Sequence, residues 1–180
     1  SRALVYQDKK SAALLRKNPG WESYCDNNRC AWSYITPDTV PQPFLKFAVY
    51  GEFRQNTVAS MYETTPEEAV LFDQVTEYIQ THYGDAVDTF RACARILDVH
   101  AKGTGKLNAA RILQKKLGKK YLVCIGDAGN DISMLDGADY AFCPSDAVLA
   151  DRFPNVCSCG DGAVADVIYE KIPEILKNQP

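Results

Sequence analysis

The chain has 180 residues, 46% hydrophobic and 24% charged, with a formal net charge of −3. That is enough apolar material to bury a core, and it excludes wholesale disorder. No run approaches the roughly 18 uninterrupted apolar residues of a membrane span, and a mildly acidic chain gathers no polyanion, so membrane and nucleic-acid partners give way to small-molecule chemistry.

The chain begins with Ser1 and runs at once into Ala3-Leu4-Val5-Tyr6, a strand already under way, so a segment upstream is expected to have been removed. Aromatic and β-branched runs from Phe44 to Tyr50 and from Thr57 to Tyr62, set off by Gly51 and Asn56, predict further strands. Thr65, Pro66 and Glu68 supply an N-cap, a first-turn proline and a capping-box partner. Leu71, Val75 and Ile79 then predict the apolar face of a helix that stops at Gly84. The pattern to about Asp98 is an antiparallel sheet with a helix laid on it.

Beyond that point the period changes. Ile96 to His100 reads as a strand, Gly103-Thr104-Gly105 as a loop, and Lys106 to Leu117 as a helix with Leu107, Ala110, Leu113 and Leu117 inward and Gly118 past its end. Tyr121 to Ile125 is a short apolar run of the kind buried on both faces of a parallel sheet. A turn and short helix lead to a strand at Tyr140 to Cys143, and Val164, Val167, Ile168 and Ile172 pattern a last helix from Gly162 to Leu176. This alternation predicts a parallel α/β layer. The boundary is expected between Cys93 and Lys102, dividing residues 1–95 from residues 96–180.

Seven cysteines, an odd number at irregular spacing with no signal-peptide pattern before them, predict reduced thiols in a cytoplasm. Cys157-Ser158-Cys159 is too tight for the usual two-residue metal spacer, and only His82 and His100 could supplement it.

The segment from Cys124 to Asp131 carries the chemistry. It sets Asp127, Asn130 and Asp131 at the carboxyl end of an apolar strand, where open α/β sheets hold their ligands, with Gly126 and Gly129 bending the backbone. Two carboxylates four residues apart across such a turn can converge on a hard divalent ion, and magnesium takes few protein ligands besides water and phosphate. The plainer alternative is an acidic turn with Asp131 as an N-cap. Lys106 follows a glycine loop at a helix start, where backbone N–H groups and the dipole favour a phosphate. A P-loop would need Ser or Thr at Leu107 and a dinucleotide fingerprint would need glycine at Asn108, so both are excluded.

Lys106-Leu107-Asn108-Ala109 together with Gly126-Asp127-Ala128-Gly129-Asn130-Asp131-Ile132-Ser133-Met134-Leu135 resembles the second half of a haloacid dehalogenase (HAD) superfamily phosphatase of the Cof type. Asp146-Ala147 and Asp161-Gly162-Ala163-Val164 also fit that pattern. The resemblance covers residues 96 to 176 firmly, and residues 3 to 95 through the order of elements. It implies an α/β fold: residues 1–95 a C2-type α/β cap, and residues 96–180 the C-terminal half of a Rossmann-like parallel core.

The resemblance further implies that Asp127 and Asp131 bind or orient Mg2+, that Asn130 holds the loop or touches the phosphoryl site, and that Lys106 neutralises charge on the phosphoryl group. Lys106, Asp127 and Asp131 would then be the catalytic set. Such enzymes hydrolyse phosphomonoesters, here a small metabolite such as a sugar phosphate, through an aspartyl-phosphate, with a second aspartate two residues later as acid and base. No aspartate of this chain has such a partner; the nearest pairs, Asp85 with Asp88 and Asp136 with Asp139, are three apart.

The chain is therefore expected to be inactive alone and to leave a sheet edge and an apolar helix face uncovered, to be met by the missing N-terminal half or by self-association. Two alternatives stand beside this reading: a non-catalytic binding protein retaining a degenerate phosphate and metal site, and a generic α/β domain with an acidic cap. The aromatic residues Trp21, Tyr24, Trp32, Tyr34, Phe44, Phe47, Tyr50, Phe53 and Tyr62, with Arg29, Lys46 and Arg54 among them, could select a sugar or cofactor phosphate but read mainly as the cap's own core and rim.

Overall fold

The computed structural model describes residues 2–8, 11–51, 64–93 and 95–178, and the chain divides into two units, Ser1–Gly103 and Thr104–Pro180. The predicted strand at Thr57 to Tyr62 and the cap residues Phe53 and Arg54 lie outside the described residues.

The first unit is built on strands β1 (Arg2–Asp8), β2 (Ser11–Leu14), β3 (Ala31–Tyr34), β4 (Lys46–Tyr50), β5 (Val87–Cys93) and β6 (Ile96–Ala101), with helix α1 (Pro19–Asn27) and helix α2 (Pro66–Tyr83). The sheet order is β3-β2-β1-β4-β6-β5. Among the described residues only the β2–β3 pair in it is parallel. Side chains of β4 alternate across the sheet as the period of two demands. Phe47 and Val49 join Leu97, Val99, Phe72 and Ile79 beneath α2, while Ala48 and Tyr50 join Ala12, Leu14, Trp21 and Cys25 beneath α1.

The capping box at Thr65 is formed: Glu68 N–H donates to Thr65 Oγ1 at 3.2 Å and Thr65 N–H to Glu68 Oε2 at 3.3 Å. The buried face of α2 is turned from the one expected, with Phe72 and Ile79 buried and Leu71 exposed. Residues at strict four-residue spacing drift around a helix of 3.6 residues per turn, and Phe72, Val75 and Ile79 make the narrower stripe.

Ile96 to His100 also departs from the expectation. It does not open the second module: β6 pairs antiparallel with β4 and β5, and the division between units falls after Gly103. Its alternation, with Leu97 and Val99 toward α2 and Asp98 on the other face, is that of a sheet with two unlike faces.

The second unit holds helix α3 (Lys106–Lys116), strands β7 (Val123–Ile125), β8 (Tyr140–Pro144) and β9 (Asn155–Val156), and helix α4 (Ile132–Asp136). Helix α5 (Ala163–Asp166) passes through a π turn (Val167–Lys171) into helix α6 (Ile172–Lys177). The three strands are parallel in the order β7-β8-β9, as the alternation predicts. Cys124, Leu135, Cys143 and Leu149 form one core cluster, and Val156, Ala163 and Val167 another.

Helix α3 ends where Gly118 adopts φ 61°, letting the N–H of Lys119 close on the carbonyl of Gln114 at 3.0 Å. Its inward set is smaller than expected: Leu113 and Leu117 are more than half exposed, as is Ile112. Among the described residues the sheet of this unit has three strands, with β7 at its edge. Among the described residues no helix is long and apolar enough to cross a membrane.

Candidate active site

Strand β7 delivers the site. Its ladder continues one residue past Ile125, with Gly126 N–H donating to Phe142 O at 3.2 Å. The chain then turns through Asp127 and Ala128 into a single 3-10 turn, Gly129–Asp131, which leads into α4. The turn folds Asp131 back over Gly126. A Cβ on Gly126 would lie 2.5 Å from Asp131 Cβ and 2.8 Å from its Cγ, so only glycine lets the acidic side chain lie there.

Asp131 is 5% exposed, and both of its oxygens are engaged. Oδ2 accepts the backbone N–H of Asp127 at 3.2 Å and of Ala128 at 3.3 Å. Oδ1 meets the Lys106 ammonium at 2.5 Å. A buried carboxylate is tolerated when it is paired and hydrogen-bonded in this way. Lys106 itself is about half exposed, the first residue of α3, so its ammonium bridges a buried anion and solvent.

The two acids of the loop are thus in different positions. Asp131 is buried and spoken for, whereas the Asp127 side chain is exposed at the carboxyl edge of the sheet. Its charge reaches the neighbouring strand end: burial first, and then the Asp127 carboxylate, push the Cys143 thiol of β8 above its ordinary range. Asn130 is half-buried within the same turn.

The sequence reading did not single out the residues that fix α3 against this edge. The Arg111 guanidinium donates to Asp139 Oδ2 at 3.0 Å and to Gly137 O at 2.5 Å. The same Asp139 oxygen accepts the N–H of Leu122 at 2.7 Å, just before β7. These bonds, the Leu122 N–H first and then Arg111, hold the Asp139 carboxyl below the usual range. Arg111 on a helix and Asp139 before a strand are unremarkable locally; their pairing becomes visible only once β7 and β8 are adjacent.

Asp146 and Asp161 have structural partners in the loops beyond β8 and β9. Asp146 Oδ1 accepts the N–H of Cys159 at 2.8 Å, and Asp161 Oδ2 accepts the Ser158 hydroxyl at 2.6 Å.

A family model described as haloacid dehalogenase-like hydrolase matches residues 48–148. Among solved structures, a haloacid dehalogenase-like hydrolase from Bacteroides thetaiotaomicron is 17% identical, with a TM-score of 0.67 over 95% of this chain and 60% of its own. A protein from Plasmodium vivax described as HAD/COF-like hydrolase is 17% identical, with a TM-score of 0.68 over 96% and 58%. A subclass IIB sugar phosphatase is 14% identical, with a TM-score of 0.68 over 97% and 61%. At these identities the likeness is one of fold, and the chain spans about three fifths of the length of each structure. No curated protein matches the chain.

Proposed function

The chain belongs to the haloacid dehalogenase-like hydrolase family, and from that premise we propose that it contributes the lysine and acidic-loop half of a magnesium-dependent phosphomonoester hydrolase. Its substrate class is a small phosphorylated metabolite such as a sugar phosphate. The observation that carries this reading is the Lys106–Asp131 pair above Gly126. It fixes an ammonium at the carboxyl edge of a parallel sheet and leaves the Asp127 carboxylate exposed. The sugar phosphatase among the structures of like fold supports the same class.

An exposed carboxylate at such an edge fits magnesium, which binds through one or two carboxylates and fills its sphere with water and phosphate oxygens. Asp127 is the residue that would hold it. Among the described residues no three His, Cys, Asp or Glu side chains gather at one point, so the other ligands are assigned to water, phosphate and a segment outside these residues. When bound, the ion supplies neutralisation of the charge on the transferring oxygens.

In this reading Lys106 donates to a phosphoryl oxygen, and Asp131 acts through Lys106 and the Asp127 and Ala128 amides, as a positioning residue more than a ligand. Asn130 offers a neutral amide to the same phosphate. The nucleophilic aspartate comes from outside the 180 residues. The chain that carries it, or a second copy, covers the β7 edge and the exposed Ile112, Leu113 and Leu117. The odd number and irregular spacing of the seven cysteines support a cytoplasmic setting.

The test is hydrolysis of p-nitrophenyl phosphate with magnesium. The 180-residue chain should show no turnover, and the product of a reading frame extended upstream should show it. Asp127→Ala in the extended product should lower kcat by about 100-fold or more; turnover that survives this substitution contradicts the proposal.

A further inference from the structure

Helix α1 ends in a Schellman motif. The N–H of Arg29 donates to Asp26 O at 3.0 Å and that of Cys30 to Cys25 O at 2.8 Å, with Arg29 in the left-handed conformation at φ 52°. This motif ordinarily brings an apolar residue in the last turn against one just beyond it. Here both are cysteines. Cys25 is fully buried in the cluster of Trp21, Leu14, Ala48 and Tyr50, and Cys30 packs half-buried against that cluster.

The backbone closure bounds their separation. Cα and O of one residue are about 2.4 Å apart, and N and Cα about 1.5 Å. With a 2.8 Å bond between Cys25 O and Cys30 N, the two Cα atoms cannot be more than about 6.7 Å apart, within the 4.4–6.8 Å that disulfides usually span. The Cys30 thiol, whose Sγ donates to Ala31 O at 3.7 Å, lies near enough to Cys25 to act on its thiol electrostatically.

We propose that Cys25 and Cys30 are a reversible modification site, closing to an intramolecular disulfide when a low-molecular-weight disulfide such as oxidised glutathione is supplied. The more accessible Cys30 thiolate attacks the reagent's S–S bond, forming a mixed disulfide and releasing one thiol. The Cys25 thiolate then attacks the Cys30 sulfur and expels the second thiol. Two protein thiols lose two electrons, the reagent's disulfide gains them, and both protons end on the two released thiols.

Burial, and then the neighbouring Cys30, push the Cys25 thiol up to about 11, which makes the second step the slow one at neutral pH. Its rate should rise about tenfold per pH unit below that value, as the thiolate fraction does. The cysteines of the second unit lack this arrangement: no backbone closure of this kind joins any two of them among the described residues.

Arg29 lies between the two cysteines, so trypsin separates them into the peptides 18–29 and 30–46, each with one cysteine. The experiment titrates the folded 180-residue chain with oxidised glutathione, blocks residual thiols in denaturant, and maps tryptic peptides. A cross-linked 18–29/30–46 pair that dithiothreitol abolishes supports the site. So does a change in the emission of Trp21 and Trp32, the chain's two tryptophans, that tracks the cross-link. A glutathione adduct remaining on 30–46 beside a free thiol on 18–29, or both thiols free, overturns it. Cys30→Ala should remove the cross-link and the emission change together; should that variant not fold, the wild-type peptide map still decides.

Discussion

Lys106 and Asp131, 25 residues apart in sequence, meet at 2.5 Å, and the second oxygen of the same carboxylate accepts two amides of the turn that precedes it. One side chain therefore joins a helix start to a strand end. The account of the site rests on that junction, because it determines where an ammonium stands relative to the exposed Asp127.

Removal of the two partners should not be equivalent. Lys106→Ala takes a half-exposed ammonium away from a carboxylate that keeps its two amide donors, a loss of about 1 kcal/mol. Asp131→Ala removes the acceptor of two backbone N–H groups as well as the ion pair, and should cost about 2–4 kcal/mol. Urea unfolding monitored by circular dichroism checks the order; equal losses, or a larger one for Lys106→Ala, would place the weight of the junction elsewhere.

Gly126→Ala should behave as an overpacking lesion. The added methyl meets the Asp131 side chain at 2.5 Å, so the carboxylate must move off the turn, at about 1–3 kcal/mol. The thermal midpoint should fall, and the amide resonances of Asp127 and Ala128 should shift with it; a variant that leaves both unchanged speaks against the close approach.

The first unit should lose stability in acid through Asp98. Burial alone would raise its carboxyl, but the His100 ring, with Nε2 3.9 Å away, and the Lys46 ammonium, donating at 2.8 Å, outweigh it and hold it below the ordinary value. A depressed carboxyl contributes stability that is complete above the unfolded value near 3.9, declines as pH falls through it, and is gone below the lower folded value. Urea midpoints followed from about pH 6 to pH 2 should show that decline, with a shallower slope in Asp98→Asn.

Much of the site was legible because its signals are local. The run from Gly126 to Asp131 sets glycine, acid and amide within one turn, and Thr65 with Glu68 sets a cap three residues from its partner. What escaped the reading is non-local. Ile96 to His100 carries an alternating pattern, apolar at Leu97 and Val99 and polar at Asp98 and His100, unlike the continuous apolar Val123–Ile125. That contrast marks an antiparallel strand of the first sheet, but the order of elements suggested otherwise. Arg111 and Asp139 had no local signature at all. The different exposure of Asp127 and Asp131 depends on which of them folds over Gly126, and spacing alone cannot tell.

The measurement closest to the centre of the account is a manganese titration of the isotopically labelled chain with inorganic phosphate present, followed by amide resonance broadening. Manganese favours the same hard oxygen donors as magnesium. Broadening should centre on Asp127 and Ala128, extend to the start of α3 at Lys106, and vanish in Asp127→Ala while the fold persists. Broadening centred elsewhere, or unchanged by that substitution, contradicts the assignment of Asp127 as the metal-holding residue.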